Sequence, residues 1–305
     1  MTVSERLRAA EEEAGTATVE LSVIVPVFNE QLAVSQTIET LRQVVDHLGI
    51  SSEIIVVDDG STDGTADELA AISSVRVKTH PYNIGNGAAI KSGIRMSRGR
   101  YILMLDADGQ HDPADIIQLV DVRDRYDMVV AERSRGSETE LHRDVANRVF
   151  NVFASWVCNQ KIRDLTSGFR LVRADVARTL IDLLPNTFSY PTTLTLAVLR
   201  SGYSVAYVPI VVHRRVGHSK VRLFADGVRF FSILLRIAVF FAPLKVFTPL
   251  SLIFFVTGFG WYLYRVFDEH RPFPPISILL MLSALFIFLI GLLSEQITYL
   301  RHERR

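Results

Sequence analysis

The chain has 305 residues, 49% of them hydrophobic, enough to bury one large core or two smaller ones. Its 33 Lys and Arg balance 33 Asp and Glu, so net charge excludes no class of partner. The single Cys158 excludes an internal disulfide and a cysteine metal cluster, in keeping with a reducing compartment.

Residues 1–20 are polar and acidic, and the first apolar run, Leu21 to Phe28, is short and holds Pro26. No signal peptide is expected, so the bulk of the chain should stay inside the cell. From residue 21 short Val/Ile runs alternate with helical patterns. Ser22 to Val27, Glu53 to Val57, Val75 to Thr79, Tyr101 to Leu105 and Met128 to Ala131 read as strands, with helices over Gln31 to Leu48 and Asn86 to Ser97. Such alternation predicts an α/β fold with a mostly parallel, Rossmann-like sheet covered on both faces. The strands end in polar or glycine clusters: Asn29-Glu30, Asp58-Asp59-Gly60-Ser61 and Asp106-Ala107-Asp108-Gly109. In open α/β sheets such ends converge on one ligand crevice.

After Ala131 the alternation stops. Glu132 to Tyr190 is charge-rich, with a helical pattern over His142 to Cys158, and reads as an acceptor-side insertion. Ser204 to His213 reads as one or two strands, followed by the basic segment Arg214 to Lys220. Over Leu223 to Ala242, Phe224, Val228, Phe231, Leu235 and Ala238 share one helical face while Arg222, Arg229 and Arg236 recur on another, the pattern of an interfacial helix. Two uncharged runs follow, Val246 to Tyr264 and Pro272 to Ser294. The shorter would reach about 28 Å as a helix, close to the hydrocarbon thickness of a bilayer. Both are apolar all round, so both are expected to span. The connector Phe267 to Arg271 is not strongly basic, whereas Arg236, Lys245, Arg301, Arg304 and Arg305 flank the runs, which places both ends in the cytoplasm; Arg265 runs against the rule.

Asp106 and Asp108 stand one residue apart at a strand end, and paired carboxylates there repel unless a hard divalent cation, Mg²⁺ or Mn²⁺, compensates them. Taken alone, the triplet is better read as an Asp/Gly turn, and the rest of the chain has to decide. Glu30 and Pro26 close the first strand, where a carboxylate can accept from ribose hydroxyls; Asp58 and Asp59 close the second, near a base. Asn83, Gly85 and Gly87 make a small-residue turn opening a helix, where a diphosphate could approach backbone amides with Lys91 one turn inside; the alternative is a plain helix cap. Arg133, Arg135, Arg143, Arg170, Arg214, Arg215 and Lys220 gather on the acceptor side, and the arginine fork suits phosphate oxygens, although some must be ordinary surface charges. Asp164 could orient Arg135 or Arg170, steer an acceptor phosphate, act as a weak base or cap the turn at Thr166 to Gly168. The eight histidines lack cysteine partners, and His111 reads as a loop residue.

Four ordered motifs, Val25-Pro26-Val27-Phe28-Asn29-Glu30, Val57-Asp58-Asp59-Gly60-Ser61, Asn83-Ile84-Gly85-Asn86-Gly87 and Asp106-Ala107-Asp108-Gly109-Gln110, resemble the inverting family 2 glycosyltransferases of GT-A fold over residues 21 to 223. Asp164-Leu165-Thr166-Ser167-Gly168-Phe169-Arg170 and the two apolar runs resemble the polyprenyl-phosphate group within it, dolichol-phosphate mannose synthase and the bacterial glucosyl enzymes. The resemblance implies a donor site at Pro26, Val27, Asn29, Glu30, Asp58, Asp59, Asn83, Gly85 and Lys91, continued by Asp106, Ala107, Asp108, Arg133, Ser167 and Arg214. It implies metal ligation by Asp106, Asp108 and Gln110, catalytic roles for Asp164, Arg135, Arg170 and Lys220, and a mobile loop at Gly217 to Lys220.

The expected molecule has a polar lead (1–20), a cytoplasmic GT-A domain (21–223), a juxtamembrane helix (224–243) and a two-helix transmembrane hairpin (244–305) in the inner membrane. Its implied partners are a nucleotide-sugar, with a lean to UDP-glucose or UDP-N-acetylglucosamine, undecaprenyl or dolichyl phosphate, the bilayer and further copies of itself, and no nucleic acid. GDP-mannose transfer, a processive polysaccharide synthase and a silent GT-A scaffold compete; against the synthase, the Gln-x-x-Arg-Trp signature is absent and Trp156 and Trp261 have no such context.

Overall fold

The computed structural model describes residues 19–107, 109, 111–134, 141–212, 235, 238–240, 242–267 and 274–303, with backbone alone for 141–147 and 299–303. It divides into two compact units, Met1–Val152 with Lys161–Lys220, and Phe153–Gln160 with Val221–Arg305.

The first unit is built on a seven-stranded sheet: β1 (Leu21–Val27), β2 (Ser52–Asp58), β3 (Arg76–Thr79), β4 (Tyr101–Met104), β5 (Met128–Arg133), β6 (Arg170–Arg173) and β7 (Val205–Ile210). Their order is β3-β2-β1-β4-β6-β5-β7. All pairings are parallel except those of β6, which runs antiparallel to both β4 and β5. The strands predicted from alternation are present. β6 was not predicted, because a four-residue run with arginine at each end carries little strand signal.

Period-two alternation assigns each face of the sheet. Val23, Val25 and Val27 of β1 with Ile54 and Val56 of β2 enter one core together with Val34, Ile38, Leu41 and Val45 of α1 (Val34–His47). The same core takes Leu69 of α2 (Thr65–Ala70) and Ile116, Leu119 and Val120 of α4 (Ile116–Asp121). Ile55 and Val57 face the other way, against Ala89 of α3 (Asn86–Met96). Both faces are therefore covered, as a parallel sheet requires. The remaining helices of the insertion and beyond are α5 (Leu141–Cys158), α6 (Ala174–Leu180) and α7 (Tyr190–Arg200), of which only α5 was anticipated.

The reversed direction of β6 matters for the site. Its first residue, Arg170, pairs with Met104 at the carboxyl end of β4 and with Val130 of β5, so the segment leading into β6 arrives where the parallel strands end.

In the second unit, α8 (Pro243–Phe267) and α9 (Pro275–Glu303) are each long and apolar enough to cross a membrane. They pack antiparallel. Gly258 lies against Leu280 and Met281, and Gly291 against Phe247, so small residues at both levels let the backbones come close. Leu252, Ile253, Val256, Leu279, Phe286 and Leu293 face outward and are exposed. The expected interfacial helix over 223–242 lies almost wholly outside the described residues.

Candidate active site

At the end of β1 the chain turns through Asn29, which takes the left-handed conformation at φ 55°. Its N–H donates to Ser61 Oγ (2.9 Å) and its Oδ1 accepts from Thr62 N (2.8 Å), which ties the β1 exit to the β2 exit. Glu30 N donates to Thr65 Oγ1 (3.0 Å), while Pro26 and Val27 lie within β1. The two aspartates ending β2 have separate tasks. Asp58 is fully buried and accepts from Ser61 N (3.0 Å) and Ser61 Oγ (2.6 Å) on Oδ1, leaving Oδ2 without a partner among the described residues. A buried acceptor with nothing to accept is costly, and a donor group on a ligand would relieve it. Asp59 has no such vacancy: Oδ1 takes His80 Nδ1 (2.7 Å) and Ile84 N (3.1 Å), and Oδ2 takes Gly85 N (2.8 Å). Its side chain organises a loop.

Gly85 (φ 123°) and Gly87 lie at the start of α3, where the sequence allows either the approach of a diphosphate or a plain helix cap. Their missing side chains admit the backbone of 185–187: a Cβ on Gly85 would collide with the Asn186 carbonyl, and one on Gly87 with the carbonyls of Pro185 and Thr187. Ala88 N–H is shared between Gly85 O (2.8 Å) and Asn186 O (3.3 Å). Lys91 is drawn into the same contact, donating to Leu184 O (3.2 Å) and to the Asn186 side-chain oxygen. Burial, then the nearby charge of Arg95, lowers its pKa. Lys91 thus clamps 184–186. Asn83 is exposed on the approach to this loop.

Asp106 follows β4, beside the buried Ala107. Asn86 Nδ2 donates to its Oδ1 (3.3 Å), and Gly168 comes so close that a Cβ there would strike Oδ2. Tyr190, at the start of α7, is buried with its hydroxyl unpartnered among the described residues; burial and then the negative charge of Asp106 push its pKa up. Sequence reasoning missed Tyr190, since a lone tyrosine opening a helix has no motif. His111 packs its ring against Phe169 at 5.3 Å. Asp108 and Gln110 lie outside the described residues, and no group of three potential metal-binding His, Cys, Asp or Glu occurs among the described ones. An aspartate oxygen at this strand end, with a second carboxylate two residues on in the sequence, is a donor set suited to Mg²⁺ or Mn²⁺.

In the segment between β5 and β6, the partner of Asp164 among the described residues is Arg133. Arg133 Nε reaches Asp164 Oδ2 at 2.9 Å and Nη2 reaches Oδ1 at 3.2 Å, while Nη2 also meets Thr166 Oγ1. The backbone N–H groups of Arg133 (3.3 Å), Thr166 (3.1 Å) and Ser167 (3.0 Å) donate to the same carboxylate. Burial alone would raise the Asp164 pKa, but the Arg133 hydrogen bonds and charge, with these amides, hold it below the usual range. Ser167 is buried in this turn. Arg170, expected to take a catalytic part, lies inside the domain. It is fully buried, with Nη1 on Pro191 O (2.7 Å) and Thr195 Oγ1 (3.0 Å) and Nε on Ser167 O (3.1 Å), so it holds the Ser167 turn to α7 and is not exposed to a substrate phosphate. Arg135, Arg214, Arg215 and Lys220 lie outside the described residues, as does the side chain of Arg143.

Residues 22–181 match the family model described as glycosyl transferase family 2, and residues 242–300 match the GtrB C-terminal hairpin. A dolichyl-phosphate beta-glucosyltransferase of Dictyostelium discoideum is 32% identical over 54% of this chain, which spans 57% of that relative's length. A polyprenol monophosphomannose synthase of Mycolicibacterium smegmatis is 32% identical over 71% of this chain and 87% of its own length. A dodecaprenyl-phosphate galacturonate synthase of Rhizobium johnstonii is 26% identical over 93% and 90%. The fold is similar to glucosyl-3-phosphoglycerate synthase of Mycobacterium tuberculosis, crystallised with Mn²⁺, uridine diphosphate and phosphoglyceric acid (TM-score 0.56, 21% identity, 75% of this chain and 82% of that one).

Proposed function

Because this chain belongs to glycosyl transferase family 2, we propose that it transfers one hexose from a nucleotide-sugar to a polyprenyl phosphate at the cytoplasmic face of the inner membrane. The observation that carries the acceptor assignment is the state of Asp164. A hydroxyl acceptor needs a general base, and Asp164, an acceptor-side carboxylate, has its oxygens committed to Arg133 and three backbone N–H groups. A carboxylate held that acidic is a poor base. A lipid phosphate arrives already anionic and needs positioning and charge compensation, which Arg133 suits.

In this reading a phosphate oxygen attacks the anomeric carbon, the bond from that carbon to the diphosphate oxygen breaks on the opposite face, and a β-linked lipid-phosphate sugar forms with release of the nucleoside diphosphate. The open Oδ2 of Asp58 accepts a donor N–H or O–H from the nucleoside. Asp106 and Asp108, with Gln110, would hold Mg²⁺ or Mn²⁺, which when bound neutralises charge on the departing diphosphate. Arg135, Arg170, Arg214 and Lys220 serve the phosphates, Arg170 indirectly through the Ser167 turn.

The two apolar helices anchor a catalytic domain of residues 21–223, with 224–243 as a juxtamembrane helix and both ends of the hairpin in the cytoplasm. The segment from Arg214 to Arg236 carries six Arg and Lys against Asp226 alone, suited to anionic headgroups. The donor is a UDP-hexose, and the protein a homo-oligomer. The test incubates the purified full chain with labelled UDP- or GDP-hexoses, undecaprenyl phosphate and Mn²⁺. An organic-extractable product of one sugar per lipid, lost in Asp106→Asn, is expected. Extraction only with GDP-mannose corrects the donor, a polymer would indicate a processive synthase, and no product with any donor overturns the transferase reading.

A further inference from the structure

His80 follows β3 and is buried with both ring nitrogens engaged: Nδ1 meets Asp59 Oδ1 at 2.7 Å and Nε2 meets Ser92 Oγ of α3 at 2.9 Å. A carboxylate only accepts, so Nδ1 carries a proton toward Asp59, while Nε2 and the serine hydroxyl share the second bond. The backbone N–H of His80 donates to Asp58 O at 2.8 Å. One side chain and its own amide therefore join the ends of β2 and β3 to the middle of α3. None of the sequence motifs includes it.

The consequence is felt further on. Asp59, fixed by His80, holds Ile84 N and Gly85 N, the entry to α3; the next residue, Asn86, holds Asp106 Oδ1 at 3.3 Å. Asp58, whose Oδ2 has no partner among the described residues, is the immediate neighbour of Asp59. An apolar side chain could fill the same volume, but it would leave the Asp59 carboxylate short of a donor in a buried position. We infer that His80 is a positioning residue for donor binding, which through Asp59 and the Ile84–Asn86 turn sets the placement of both Asp58 and Asp106. This rests on the transferase reading above.

The test compares His80→Leu with His80→Asn in the full-length enzyme. Asparagine can place an amide N–H near the Nδ1 position, whereas leucine removes both bonds. For His80→Leu the donor KM should rise about tenfold, the effect of losing one hydrogen bond to a charged group, while kcat and the acceptor KM stay within about twofold. His80→Asn should recover most of the loss. Hydrogen exchange at the amides of Ile84 and Gly85 should quicken in His80→Leu and not in His80→Asn. An unchanged donor KM, or a uniform fall in activity with no recovery in the asparagine variant, overturns the role of His80 while leaving the transferase reading intact. A wild-type enzyme that transfers no sugar overturns both, and the exchange measurement then reports whether the bonding chain itself holds.

Discussion

Asp164→Asn removes one negative charge and changes one oxygen into an NH₂ group without changing the size of the side chain. In the native turn Oδ2 accepts from Arg133 Nε (2.9 Å) and Arg133 N (3.3 Å), and Oδ1 accepts from Thr166 N, Ser167 N and Arg133 Nη2. An asparagine oriented to satisfy the Thr166 and Ser167 amides turns its NH₂ toward Arg133, donor against donor. Two bonds are lost, one of them charge-assisted, which amounts to about 3 kcal/mol. Breaking a fully buried ion pair costs about 3–5 kcal/mol. The lower end applies because the Arg133 side chain is 26% exposed and water can take up part of its hydration, whereas that of Asp164 is 7% exposed. For a domain of this size the unfolding midpoint should fall by about 6–12 °C. The assay is thermal unfolding of the detergent-purified chain, run with Arg133→Ala and the double variant. The cycle should give a coupling of about 1–3 kcal/mol between the two residues. A single variant that melts within about 2 °C of wild type, or a coupling near zero, refutes the claim that Asp164 is saturated by Arg133 and its amides.

The same carboxylate sets a pH window: its folded pKa lies below the unfolded value, so its stabilisation is present above about pH 4 and is lost as pH falls toward the lowered folded pKa. Unfolding midpoints measured from neutral to acid pH should show that loss in wild type and a flatter profile in Asp164→Asn. Gly85→Ala combines a left-handed φ of 123° with a collision against the Asn186 carbonyl and should cost more than about 2 kcal/mol, read by denaturant unfolding. Arg170→Met should cost about 3 kcal/mol or more, because the Ser167 carbonyl loses its donor and Thr195 Oγ1 loses a partner in a buried position, and Arg170→Lys should not restore it, since a single ammonium cannot reproduce the fork. An Arg170→Lys variant as stable as wild type would count against the structural role assigned to that side chain.

The first strands and their exits are readable because strand, polar exit and helix follow one another locally, so Val23 to Glu30 or Ile54 to Ser61 carry both the fold and the candidate site in one short stretch. What sequence could not supply were partners distant in the chain. Lys91 and Gly87 are 93 and 98 residues from the segments they meet at Leu184 and Pro185, and nothing in their local pattern announces a backbone that will occupy the space. Arg170 was read as a phosphate ligand for its charge. Its burial follows from β6 lying between β4 and β5, a topology that an alternating pattern does not encode. Asp164 keeps several roles open in the sequence because its partner depends on the same insertion.

The antiparallel strand also has a bearing on how such a molecule can diversify. β5 leaves the sheet at Arg133 and β6 re-enters at Arg170 on the neighbouring track, so everything between them is a single excursion with both feet fixed side by side. Lengthening an excursion of that kind is entropically cheap, about 0.6 kcal/mol for each doubling. Its contents can be exchanged as one cassette while the hydrogen bonds that tie the β1 exit to the β2 exit stay untouched. On the proposed reading, one specificity for what is given and one for what receives it can then change independently, and chimaeras cut at Ser134 and Phe169 are the natural way to exploit that independence.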